Sequence, residues 1–178
     1  MSGHNKWSKI KNKKAVTDAQ KSKIFGKMVR FIAIESKKAK GDVNTPSLRA
    51  AIEKAKEANV PSDNIERAVK KGIGGEGREM EQITYETYGP GGCALIIEAL
   101  TENRNRAAQE IKHILSKSGY ELAAPGSAAW AFKKQTDSSE WLPQNTVTIS
   151  EENETKLQTL IEELEQNDEV QNIFTNAE

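Results

Sequence analysis

The chain has 178 residues, 36% of them hydrophobic and 6% aromatic, a thin supply for one large core and a better match to two small domains. Cys93 is the only cysteine, which excludes an intramolecular disulfide and a cysteine-built metal site. No apolar run approaches the roughly 18 residues that span a bilayer, and no signal-peptide core follows the charged N-terminus, so a cytosolic protein without membrane attachment is expected.

The net charge of zero conceals an asymmetry. Residues 1–80 hold 19 Lys and Arg against 9 Asp and Glu, whereas residues 81–178 hold 7 against 17. The first forty residues alone hold 12 against 2, which is the whole excess of the basic half. Such an imbalance points to nucleic acid as a partner of the basic half.

Residues 1–16 carry Lys6, Lys9, Lys11, Lys13 and Lys14 with almost no apolar periodicity, so this arm is expected to be mobile when free. A helix is predicted from the Thr17-Asp18 cap to about Lys40, with Ile24, Met28, Phe31 and Ile32 as its apolar face and Gly41 as its stop. Thr45-Pro46 starts a second helix, with Leu48, Ala51, Ile52 and Ala55 on one side, ending before Val60-Pro61. Ser62 or Asp63 is expected to cap a third helix, carrying Ile65, Ala68 and Val69 and ending at Gly72. The glycine-rich stretch 72–79 reads as a joint.

Beyond it the pattern changes. Ile83, Tyr85 and Thr87 alternate as in a half-buried strand, Gly89 to Gly92 form a turn, and Cys93 to Leu100 suit a central strand, giving a hairpin. Asn103 caps a helix with Ala107, Ile111, Ile114 and Leu115 inward, ending at Gly119. Ala128 to Lys133 is predicted as a strand, 134–140 as a loop and Thr146 to Ser150 as a short strand. Ser150 caps an acidic helix with Leu157, Leu160, Ile161 and Leu164, and Val170 to Phe174 closes as a strand. The fold class is α+β: an N-terminal three-helix domain, residues 1–75, then a mostly antiparallel α/β sandwich of order ββαβ-βαβ, residues 80–178.

Four stretches carry a resemblance. They are SGHNKWSKIKNKKAVTDAQKSKIFGKMVR at the N-terminus, ANVPSDNIERAVKKG (58–72), YGPGGCALIIEALTENRNRAAQEIKHIL (88–115) and the tail from WLPQNTVTIS to EQNDEVQNIFTNA. In this order they resemble the YebC/PmpR family along nearly the whole chain. One departure stands out: family members usually carry a further α/β domain between the strand represented by WAF and the segment NTVTIS, where this chain has only a loop around 134–142. The resemblance implies regulation of gene expression rather than catalysis. Bacterial members are generally labelled DNA-binding transcriptional regulators. Others act on translation, including the mitochondrial translational activator of cytochrome c oxidase subunit I and relatives linked to relief of ribosome stalling at proline runs.

The candidate nucleic-acid-binding residues are His4, Lys6, Trp7, Lys9, Lys11, Lys13 and Lys14 on the arm and Lys21, Lys23, Lys27 and Arg30 on the first helix. Lysines neutralise phosphates without reading sequence, and Trp7 offers a face for base stacking. The third helix sets Asn64, Arg67, Lys70 and Lys71 beside Asp63 and Glu66, a weak set for reading base edges in a duplex groove. Arg104 and Arg106 crowd a helix start, where cations oppose the dipole, so they read either as a partner contact or as pairs with Glu102 or Glu110. Cys93 reads as a small core residue and His113 as a surface one. No acid–base pair, nucleophile or metal cluster is legible, and no cofactor is expected. The expected function is a non-enzymatic, DNA-binding transcriptional regulator, with a ribosome-associated translation factor that binds ribosomal RNA as the alternative.

Overall fold

The computed structural model describes residues 18–74, 80–136 and 140–178. The chain divides into two compact units, residues 17–83 with 100–107 and residues 84–99 with 108–178.

The first unit is helical: α1 (Asp18–Lys38), α2 (Pro46–Glu57) and α3 (Ser62–Gly72). Ile32, Leu48, Ala51, Ala55, Val60, Ile65 and Ala68 form its core, with Phe25, Met28 and Val29 packed against it. This corrects the apolar face expected for α1. Met28 and Ile32 do face the core, but Ile24 and Phe31 are 38% and 41% exposed. At about 100° per residue the stripe that α1 turns inward is Phe25, Met28, Val29, Ile32 and Ser36. A polar residue belongs to it because α3 crosses there: Ser36 Oγ donates to the Val69 carbonyl at 2.7 Å. The approach is close, since a Cβ on Gly72 would lie 2.4 Å from the Ala33 carbonyl oxygen and 2.5 Å from Ser36 Cβ. A second buried group, Ile34, Met80 and Leu100, covers the other side of α1 near its end.

Helix α1 ends two residues before the expected Lys40, because Lys40 and Gly41 both adopt positive φ, 51° and 81°. The Gly41 amide then returns to the Ser36 carbonyl at 2.9 Å, the closure usual for a left-handed helix end. Helix α3 lacks the side-chain cap expected from Ser62 or Asp63. Pro61 occupies the cap position, and its carbonyl accepts from Asn64 and Ile65 at 2.9 and 3.2 Å.

The remaining elements are β1 (Glu81–Tyr88), β2 (Ala94–Thr101), α4 (Arg104–Lys117), β3 (Leu122–Ala123), β4 (Phe132–Lys134), β5 (Trp141–Pro143), α5 (Glu151–Glu165) and β6 (Val170–Thr175). The main sheet has the order β3-β1-β2-β6, and β4 with β5 makes a second, two-stranded sheet. β3 runs antiparallel to β1 and β6 antiparallel to β2. The mostly antiparallel α+β architecture matches the expectation.

β2 is buried along its whole length because the sheet is covered on both faces. Ile97 and Ala99 pack with Ile111 and Leu115 of α4 and Leu160 and Leu164 of α5. On the alternate positions, Ala94 and Ile96 pack with Ala128, Ala131 and Phe132. Glu98 falls on this second face at 3% exposure and is matched by Trp141 Nε1 at 3.0 Å, Asn172 Nδ2 at 3.3 Å and Lys134 Nζ at 3.9 Å. Both expected caps are present: Asn103 Oδ1 accepts from the Arg106 amide and Ser150 Oγ from the Asn153 amide.

Four strand assignments change. The segment expected as one strand from Ala128 to Lys133 begins as a 3-10 turn, Ala129–Ala131, and only Phe132–Lys134 pairs, with Trp141–Pro143. Thr146 to Ser150 is not a strand: Val147 alone bridges to Ala177. Neither β3 nor β5 is foreseen from the sequence, and at two and three residues they are too short for an alternation to register.

Candidate nucleic-acid interface

Of the residues picked out from the sequence, His4, Lys6, Trp7, Lys9, Lys11, Lys13 and Lys14 lie outside the described residues. The others lie on α1 and α4. Lys23, Lys27 and Arg30 follow one another at spacings of four and three, on the side of α1 turned away from Phe25, Val29 and Ile32. At 1.5 Å per residue, these three cations span about 10 Å of the helix. Lys21 is exposed and starts the same helix half a turn earlier. The exposed Ile24 and Phe31 sit beside the row, so this face of α1 mixes positive charge with apolar surface. That pairing suits a partner with phosphates and flat rings better than one with charge alone.

The third helix, a weak set for reading base edges on its sequence, contributes in another way. Arg67 Nε donates to the Asp63 carbonyl at 3.2 Å, and its Nη2 donates to Asn64 Oδ1 at 2.6 Å. Arg67 and Asn64, with Ser22, Phe25, Gly26 and Val29 of α1, line a cleft of about 480 Å3 between the two helices. Sequence reasoning weighed Asn64 and Arg67 only for groove reading and missed Ser22, Phe25 and Gly26. No linear signal joins residues 22–29 to 64–67; the α1–α3 crossing does. Lys71, at the end of α3, forms an ion pair with Glu102.

Arg104 Nε lies 3.7 Å from Glu81 Oε2, and both side chains are exposed. This is neither of the pairings weighed from sequence. Arg106 is exposed in the first turn of α4.

A rigid aromatic pair stands on the second unit. Trp130 is 58% and Tyr88 38% exposed. The Trp130 indole donates to the Tyr88 hydroxyl at 3.0 Å, and that hydroxyl donates to the Ser127 carbonyl. Buried Glu86 fixes the same loop by accepting from the amides of Gly126, Ala128 and Ala129 at 2.6, 2.7 and 2.8 Å. Burial pushes the Glu86 carboxyl up, and the three backbone bonds together outweigh it, so its pKa falls below the ordinary value. Cys93 is fully buried, and burial pushes its thiol up, as suits a core residue. His113 is exposed.

Among the described residues no group of His, Cys, Asp or Glu is placed to hold a metal ion. None of their helices is long and apolar enough to cross a membrane.

A basic helical unit joined to an α+β unit with a doubly covered central strand defines the class. Residues 5–75 match the family model for the TACO1/YebC protein N-terminal domain, and residues 80–137 and 134–177 match that for the TACO1/YebC second and third domain. The chain belongs to the TACO1/YebC family. A probable transcriptional regulatory protein of Fervidobacterium nodosum is 55% identical over 137 residues, 76% of this chain and 54% of that protein. The chain thus spans about half the length of such curated relatives. One of the same description from Kosmotoga olearia is 37% identical over 238 positions, 100% of this chain and 94% of that protein. The crystal structure of a conserved hypothetical protein from Aquifex aeolicus has a TM-score of 0.83 at 31% identity, covering 90% of this chain and 91% of that one.

An alignment of 238 positions against 178 residues leaves 60 positions of the Kosmotoga protein without a counterpart. The two matched blocks of the second-and-third-domain model meet at residues 134–137, between β4 and β5. There Lys134 pairs with Trp141, and the Gln135 amide donates to the Glu140 carbonyl at 2.8 Å. The chain therefore enters and leaves this point side by side, the geometry at which a whole domain can be present or absent without disturbing its host.

Proposed function

We propose that this chain is a non-enzymatic, nucleic-acid-binding regulator of gene expression, specifically a DNA-binding transcriptional regulator. Residues 1–75 are its binding domain and residues 80–178 its second domain. The observation that carries this reading is the placement of charge: the whole excess of the basic half lies in residues 1–40, and it includes the half-buried Lys23–Lys27–Arg30 row of α1. Cations along a helix and a lysine-rich arm neutralise phosphates and release counterions, a term independent of sequence. The relatives' description as probable transcriptional regulatory proteins supports the regulatory part.

A second reading is favoured by α3. Its Arg67 is tied to its own helix and its Lys71 to Glu102, which leaves a poor set for reading bases in a major groove. Backbone and shape recognition of structured RNA fits that set better, and with it a ribosome-associated translation factor. Sedimentation of the chain with ribosomes on a gradient separates the two readings, run beside a variant with Lys6, Lys9, Lys11, Lys13 and Lys14 changed to Ala. Comigration lost in the variant favours the translational reading. A chain that leaves ribosomes behind but shifts duplex DNA favours the transcriptional one. A variant that matches the parent in both assays removes the arm from the account.

A further inference from the structure

The α1–α3 cleft has a feature that the packing of the helical unit does not explain. Gly26 stands in the middle of a 21-residue helix, where glycine costs about 0.8–1.0 kcal/mol relative to alanine. Gly72 has a packing reason for lacking a side chain, since the Ala33 carbonyl would lie 2.4 Å from its Cβ. For Gly26 no such reason stands among the described residues: a Cβ there would meet the tip of Arg30, Nη1 at 3.8 Å. The missing side chain instead opens the floor of the cleft. A backbone left bare where no described side chain fills the space suits close approach by a ligand.

The lining indicates which ligand. Phe25 and Val29 give an apolar floor, and Ser22, Asn64 and Arg67 a polar rim. The Asn64 carboxamide accepts from Arg67 through Oδ1, and its amide nitrogen is the group with N–H donors. The guanidinium, anchored at Nε and Nη2, uses two of its five N–H donors in those bonds. Lys23 and Arg30 flank Gly26 at i−3 and i+4, on the same stretch of helix surface. A flat, hydrogen-bonding ring beside negative charge complements this arrangement. The volume of about 480 Å3 falls within the roughly 300–1,000 Å3 of small-ligand clefts.

We propose that the α1–α3 cleft seats one unstacked nucleobase of a single-stranded nucleic acid. The base lies against Phe25 and the bare backbone of Gly26, its edge meets Asn64 and Ser22, and Arg67 and Arg30 hold the adjoining phosphates. The proposal rests on the nucleic-acid reading above and names the strand state and the pocket that it uses.

The test uses the full chain and two probes: a short single-stranded RNA carrying one fluorescent adenine analogue, and a blunt duplex of the same sequence. Gly26→Leu fills the floor with a strong helix former, and Gly26→Ala adds only a methyl group to a cleft with room for it; both favour the helix, so neither threatens folding. Gly26→Leu is expected to weaken single-strand binding on the order of ten-fold or more, as loss of one stacked base does, and to abolish the fluorescence change. Gly26→Ala retains most of both, and all three chains bind the duplex alike. Single-strand binding untouched by Gly26→Leu overturns the cleft, as does an equal loss on both probes. A parent chain that binds neither probe overturns the underlying nucleic-acid reading and this proposal together.

Discussion

Changing Lys23, Lys27 and Arg30 together to Ala removes three cations from one 10 Å row without touching the core stripe of α1. Each phosphate neutralised contributes about 0.9 to the salt slope on duplex DNA and about 0.7 on a single strand. If all three face phosphates, the slope falls by about 2.7 on a duplex and about 2.1 on a single strand. Over a fourfold rise in salt, the parent then loses about 40-fold more affinity for duplex than the variant does, and about 20-fold more for a single strand. Fluorescence anisotropy of a labelled oligonucleotide, titrated at several salt concentrations, reads the slope directly. The size of the decrement also reports which strand form the row tracks. A urea midpoint measured beside the titration separates weakened binding from unfolding. Parallel salt plots for parent and variant, whatever their absolute affinities, would refute the assignment of this row to a phosphate backbone.

The remaining predictions concern packing within each unit. Gly72→Ala forces a methyl group against the Ala33 carbonyl and Ser36, and is expected to cost about 1–3 kcal/mol, read as a lower urea midpoint. Glu86→Gln removes the charge that three amides converge on, costs about 1.5–3 kcal/mol at neutral pH, and loosens the Tyr88–Trp130 pair, visible in tryptophan emission. Since the Glu86 pKa is lowered on folding, its contribution is fully present above the ordinary value of 4.5 and is lost as pH falls through the folded value; the variant should therefore lose less stability than the parent on acidification below 4.5. Asn176 ties the Ala94 amide to the Asn145 carbonyl, at 2.7 and 2.8 Å, from a nearly fully buried position. Asn176→Ala strands both groups and should cost about 1–3 kcal/mol in thermal or urea unfolding, and Asn176→Asp, which sets a buried carboxylate oxygen against the Asn145 carbonyl, costs no less.

The elements that could be read from sequence are those whose signals are local. Helices α4 and α5 announce themselves by caps, α2 by the proline at its start, and all three by apolar residues three and four apart, and the unbroken run of β2 reflects cover on both faces of the sheet. The inward face of α1 was misassigned at Ile24 and Phe31 because its burial is set by where α3 crosses, a contact decided by Gly72 more than thirty residues away. The Ala128–Lys133 stretch has the apolar content of a strand, but its first part is spent on a turn whose amides Glu86 collects. The cationic row was legible as a spacing on one helix. The cleft beside it was not, since its lining comes from two segments that only the fold brings together.

The most direct test of the central claim is to cross-link the full chain to bound nucleic acid with ultraviolet light and map the nucleotide adducts by mass spectrometry, offering duplex DNA and ribosomal RNA separately. The account predicts adducts in the arm around Trp7, along α1 between Lys21 and Arg30, and at Phe25 on the cleft floor. Adducts confined to residues 80–178, or none with either nucleic acid, would contradict it.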